Sequence, residues 1–154
     1  MTKKTKWLRS DVFVIPLLNK TFSVGQVLDL QMENVVRIAL YDEIINSIIS
    51  VEIDELCKSK NLISLIASSR EQLDYKVWKI LGNKQQNIPV SNFPNEKYRE
   101  KGWVGAISYD AALVEDFVNS FYSLLPWDDW FKPDYLATFL IDPSKKPKNL
   151  IYKK

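Results

Sequence analysis

Histidine is absent from all 154 residues of this chain. That excludes Ser-His-Asp and Cys-His nucleophilic systems, His-ligated zinc or iron, and an imidazole general base. The single cysteine, Cys57, excludes an intramolecular disulfide framework and any multi-cysteine zinc site. With no imidazole to lower its pKa, Cys57 reads as a small apolar filler beside Leu56. Glycine is scarce, four in all. Gly102 and Gly105 make neither a G-x-x-x-x-G-K nor a G-x-G-x-x-G loop, and Ser68-Ser69-Arg70 lacks the glycines of a nucleophile elbow. No apolar run approaches the ~18 residues of a membrane span. The basic start (Lys3, Lys4, Lys6, Arg9) leads into no secretory h-region or small-residue cleavage site, so the expectation is a cytoplasmic protein. None of these patterns calls for a cofactor or a metal.

What is present suits one soluble domain. The apolar share of 46% and charged share of 26% are ordinary for a globular protein. A chain of this length buries roughly 68–70% of its unfolded surface without staples. The net charge of +2 hides an asymmetry. Residues 1–9 carry four basic groups and residues 145–154 carry five, with no acid in either. The stretch 10–144 keeps 12 basic against all 19 acidic residues, a net charge of −7. From Gly102 to Ser144 the only base is Lys132, against seven acids. The expected organisation is a basic N-terminal tail (1–9), a single domain (10–144) and a basic C-terminal tail (145–154). The tails read as mobile solubilising ends, since no aromatic-basic groove pattern accompanies them; neither a nucleic-acid nor a membrane partner is expected.

Residues 11–30 predict two strands joined at Asn19-Lys20. Val12 to Ile15 form a β-branched and aromatic run, and Phe22, Val24, Leu28 and Leu30 recur among mostly polar or small neighbours. Pro16 suits a strand end or edge, and Gly25 predicts a bulge or sharp bend. Further strands are expected at 35–41, 48–53, 62–67, 75–81 and 103–109, with a single helical turn at 68–73 capped by Ser68 or Ser69. Residues 84–101, with Pro89 and Pro94, read as a long surface loop. Trp78 and Trp103 sit among apolar neighbours and read as core. Asp110 is placed to cap a helix in which Leu113, Phe117, Phe121 and Leu125 repeat every four residues, stopped by Pro126. Pro133 could open a second short helix containing Leu136, Phe139 and Leu140, ended by Pro143. The class is α+β: a curled antiparallel, small barrel-like sheet with two C-terminal helices packed on it.

Two acidic clusters are candidate sites. Asp128-Asp129, flanked by Trp127 and Trp130 and followed by Asp134 and Tyr135, offers paired carboxylates and two aromatic anchors. Adjacent turn residues point apart and no third ligand follows at a recognisable spacing, which argues against catalysis or metal binding. An interaction surface facing basic side chains and a structural role for the tryptophans capping the core both remain open. Asp42-Glu43, at a strand end, invites the same pair of readings, contact residues or solvated turn acids.

Several strings in order resemble one family. They are D-V-F-V-I-P-L at 11–17 with F-S-V-G-Q-V-L at 22–28, A-L-Y-D at 39–42, and W-K-I-L-G-N at 78–83. L-L-P-W-D at 124–128 and P-D-Y-L at 133–136 complete the set. Together they resemble the immunity protein 26 family of bacterial toxin–immunity systems over roughly residues 10–142. That family usually has Gly before the first Asp, where this chain has Ser10. The resemblance implies a non-enzymatic immunity protein that binds a cognate toxin domain and blocks its active or substrate site. A basic nuclease domain is the natural target for an acidic body. The alternative is a small β-barrel module binding nucleic acid or peptide through its curled sheet.

Overall fold

A computed structural model describes residues 6–128, 130 and 132–153. Its centre is a five-stranded antiparallel sheet, open rather than closed into a barrel, in the order β4-β3-β2-β1-β5. The strands are β1 (Asp11–Pro16), β2 (Phe22–Met32), β3 (Val35–Ile45), β4 (Leu62–Ser69) and β5 (Lys79–Asn83). The first four form a meander, and β5 returns to pair with β1.

β1 reads as a continuous apolar run because both of its faces are covered. Phe13 and Ile15 enter the main core beneath helix α2 (Ala111–Phe121), while Val12 and Val14 meet Val24 and Leu56 on the second face. Pro16 lies where the missing donor costs nothing, since pairing with β5 ends at Val14. Two long loops, 46–61 and 84–105, supply the cover of the second face through Leu56, Phe93 and their neighbours. On the first face, α2 sets Val114, Phe117 and Val118 against the sheet, joined by Trp78, Trp127, Leu136 and Phe139.

Gly25 is needed for space. It pairs with Phe13, and a Cβ there would stand 2.5 Å from the Phe13 ring, which stacks on Trp78 at 5.4 Å. The register of β2 against β3 shifts at 23/24, 27/29 and 30/32, on either side of Gly25 rather than at it. Gly25→Ala overpacks a wedged ring, and urea denaturation is expected to show a loss of about 1–3 kcal/mol. Ser10 adopts φ 71, the left-handed conformation that glycine reaches freely, which accounts for the glycine usual at that place in the resembled pattern.

The structure corrects several expectations. Residues 48–53 form no strand; Ser50 is left-handed, and Ile48, Val51 and Ile53 pack from the loop onto the second face. Residues 103–109 form no strand either. Gly102, Trp103 and Gly105 all have positive φ, and only Tyr109 makes a single parallel bridge, to Ser68. β5 starts at Lys79 rather than residue 75, because Lys76 turns the chain, and it runs through Gly82-Asn83 instead of stopping before them. The helical turn at Glu71–Asp74 is not capped by Ser69. The Ser69 hydroxyl instead accepts the Ala111 N–H at 2.8 Å, serving the start of α2 in place of the Asp110 carboxylate. α2 ends at Phe121, well before Pro126. Ser123 is left-handed, Leu124 N–H donates to Asn119 O at 2.8 Å and Ser123 N–H to Ser120 O at 3.1 Å, a Schellman closure. The second helix is a 3-10 segment, Tyr135–Phe139, entered through left-handed Asp134 rather than Pro133. Pro143 opens a further 3-10 turn, Pro143–Lys145.

Candidate functional site

The turn after α2 divides its residues between core and surface. Trp127 is fully buried against Phe117, its main-chain N–H donates to Ile151 O at 2.7 Å, and its indole Nε1 donates to Asp134 Oδ1 at 2.8 Å. That side chain caps the core and offers no surface. Asp134 is exposed, gripped between the indole N–H and the Lys146 ammonium at 2.9 Å. Lys146 first, and then the indole, hold its carboxyl below the usual carboxylate range. Asp128 is half-buried and accepts the Lys153 N–H at 2.6 Å. Trp130 and Tyr135 are half-buried with ring centroids 6.0 Å apart, and Tyr135 meets Phe139 edge-on at 5.5 Å. Asp129 lies outside the described residues.

The C-terminal basic segment therefore lies along the body. Lys145 Nζ reaches Lys60 O at 2.9 Å, Lys146 pairs with Asp134, and the Ser123 hydroxyl donates to Asn149 O. At the other end, Trp7 Nε1 donates to Asp74 Oδ1 at 2.9 Å, and Arg70 covers the Trp7 ring at 4.9 Å.

Asp42 and Glu43 face different ways. Glu43 turns inward and accepts the N–H groups of Cys57 (2.6 Å) and Lys58 (3.0 Å) and the Asn61 amide (2.9 Å), pinning the loop 46–61. Burial, then the Glu43 charge, pushes the Cys57 thiol up to about 12, as expected of an inert filler. Asp42 is exposed beside Tyr122, whose hydroxyl is pushed up by burial and then by the Asp42 charge. Asp42 and Tyr122 share a depression of about 360 Å³ with Lys60, Lys145, Lys146 and Lys148. Through Lys146 the structure brings Asp42 and Asp134 to the same C-terminal segment, and it leaves Glu43 out of that grouping.

One polar centre escapes the sequence reading. Arg37, on β3, is completely buried. Its Nε and Nη2 each reach Asp29 at 2.6 Å, and its Nη1 reaches Glu96 at 2.8 Å and Pro94 O at 3.0 Å. Phe93 and Trp103 cover the guanidinium at 5.0 and 5.2 Å. Trp103, expected in the core, is a half-buried lid on Arg37 and also takes Arg99 at 4.9 Å. Arg99, followed by Arg37, holds Glu96 down to about 2. The signal was a lone arginine inside the apolar run V-V-R-I-A-L. A charge within a strand buried on both faces must be paired.

Among the described residues, no group of three or more Cys, Asp or Glu is placed to hold a metal ion, and no helix is long and apolar enough to cross a membrane. A family model described as "Immunity protein 26" matches residues 11–101, which takes in all five strands, the 46–61 loop and most of the 84–105 loop. No curated protein and no solved structure matches the chain.

Proposed function

Because the chain belongs to the immunity protein 26 family, a family of immunity function whose partner is a cognate toxin, we propose that it neutralises a bacterial toxin domain by occluding its active or substrate site, in the cytoplasm and without turnover. The family match over the whole sheet is the observation that carries this reading. Charge supports the mode of action. The segment from Gly102 to Ser144 holds seven acids against one lysine; Asp134 within it and Asp42 outside it are both exposed. Such a face steers a basic partner, and a basic nuclease domain is the target class it suits. Asp128 lies half-buried in the same segment, whose sequence also holds Asp129, and Trp130 and Tyr135 add half-buried aromatic surface at the rim of the contact.

Mixing the protein with the toxin domain encoded beside its gene is expected to abolish the toxin's activity at one-to-one stoichiometry. Full toxin activity in the presence of excess protein sinks the proposal. Reversing charge with Asp42→Lys and Asp129→Lys is expected to slow association about tenfold at low salt and to flatten its salt dependence. An unchanged association rate measured by stopped flow removes the acidic face from the mechanism. The lysines around Asp42 favour, more weakly, a nucleic-acid-binding module. Asp42 among them and the acidic body argue against it.

A further inference from the structure

The second sheet face carries a cleft of about 540 Å³ between the 57–62 segment and the 84–92 loop. That size lies within the ~300–1,000 Å³ typical of binding sites. Leu62, Leu65, Ile88 and Pro89 give it apolar lining, to which the sheet adds Tyr41 and the Gln26 carboxamide. The walls carry carboxamides. Gln85, Asn87 and Asn92 make no side-chain hydrogen bond among the described residues, and Gln86 uses only its oxygen, accepting Ile88 N–H at 2.6 Å. The main-chain N–H groups of Gln85, Gln86 and Asn87, which lie in no helix, strand or turn, are likewise unbonded among the described residues.

The two charged side chains of the lining, Lys58 and Lys84, are both engaged. No acid lines the cleft, the Lys58 ammonium pairs with Glu55 at 3.1 Å, and Lys84 Nζ is spent on Asp54 O and Leu56 O. What remains is donors and acceptors side by side with apolar lining, the complement of a peptide group flanked by small apolar side chains. Both walls are set in advance. Glu43 pins one, and Gln26 Nε2 pins the other, at 2.5 Å to Lys84 O and 3.2 Å to Ser10 O. A preorganised cleft loses little entropy on binding. The cleft also adjoins the depression that holds Asp42. Its rim residue Ser59 precedes Lys60, whose carbonyl receives Lys145 beside Asp42.

We propose that this cleft receives an extended, uncharged segment of the toxin, bound through its main chain to the carboxamide walls; the inference rests on the immunity function proposed above. The test uses the full chain and the toxin domain encoded beside its gene, with hydrogen–deuterium exchange and affinity measured on the same samples. Protection is expected over 84–92 and 57–62. The exposed triple substitution Gln85→Ala, Asn87→Ala and Asn92→Ala is expected to weaken affinity at least tenfold with an unchanged melting temperature. Ser59→Trp, at the exposed rim, is expected to do the same by filling the entrance. Full affinity in both variants, or protection confined to 123–135, overturns the cleft and leaves the immunity function standing. If no complex forms and the toxin stays active, both fall.

Discussion

Replacing Arg37 with methionine is expected to cost about 3 kcal/mol of folding stability in urea denaturation. The substitution keeps most of the apolar stem and removes the charge, so Asp29 and Glu96 lose the partner that justifies their position. Their side chains retain only 14% and 20% exposure, so water compensates in part, which sets the expectation at the low end for a broken buried pair. Replacing all three charges, as Arg37→Met with Asp29→Leu and Glu96→Leu, is expected to return most of the loss. A single Arg37→Met variant as stable as the parent would mean that the ion cluster does not hold the 84–105 loop. Acid offers an independent check. Glu96 titrates near 2 in the folded protein against an ordinary value of 4.5. Its lowered pKa contributes stability that is complete above about pH 4.5 and is lost as the pH falls from there through about 2. Near-ultraviolet circular dichroism of the Trp103 environment is expected to change across that window in the parent protein, and across a narrower one once Arg37 is gone.

Trp127→Ala is expected to cost about 3–5 kcal/mol and to act on toxin binding only through unfolding. The ring fills the space beneath α2 beside Phe117, and its loss also frees Asp134 from the indole N–H. Trp127→Phe, which keeps most of the volume and drops that donor, is expected to cost about 1–2 kcal/mol. For a chain of this length these losses lower the melting temperature by roughly 10 °C and 3–6 °C respectively. If Trp127→Ala melts like the parent and binds the toxin weakly, the ring is a contact residue and its placement here is wrong.

The meander was legible because its strands obey one rule, apolar side chains at the spacing of a pleated sheet. Phe13, Ile15, Val36, Ile38 and Leu40 all face the main core, as that spacing demands. Residues 48–53 mislead for a physical reason. A loop covering a sheet face must itself be apolar, so Ile48, Val51 and Ile53 carry strand composition without strand pairing. Residues 103–109 fail on backbone: positive φ angles at Trp103 and Gly105, directly after another at Gly102, break any ladder. The candidate site was legible in part. Asp42 and Asp134 do reach one surface segment. Composition cannot distinguish the inward Glu43 from its outward neighbour, because the difference lies in the N–H groups of Cys57 and Lys58, fourteen and fifteen residues away in the chain. Trp127 and Trp130 look alike in sequence and part company through distant contacts: Phe117, Ile151 O and Asp134 all meet Trp127.

Both loops of the second face are tied to β3 by one side chain each, Glu43 for 46–61 and Arg37 for 84–105. Apart from two carboxamides of β2, Gln26 at Lys84 O and Gln31 at the Asn95 amide, they otherwise meet the sheet through aliphatic and aromatic contacts, which tolerate volume-conserving exchange. Lengthening such a loop is cheap, since each doubling adds only about 0.6 kcal/mol of closure entropy. A lineage facing a changed toxin can therefore rewrite either loop while the meander and its two knots stay as they are. Under the proposed cleft contact, recognition and foldability are inherited separately, and grafting a loop between relatives that share the arginine and the glutamate is expected to move specificity with it.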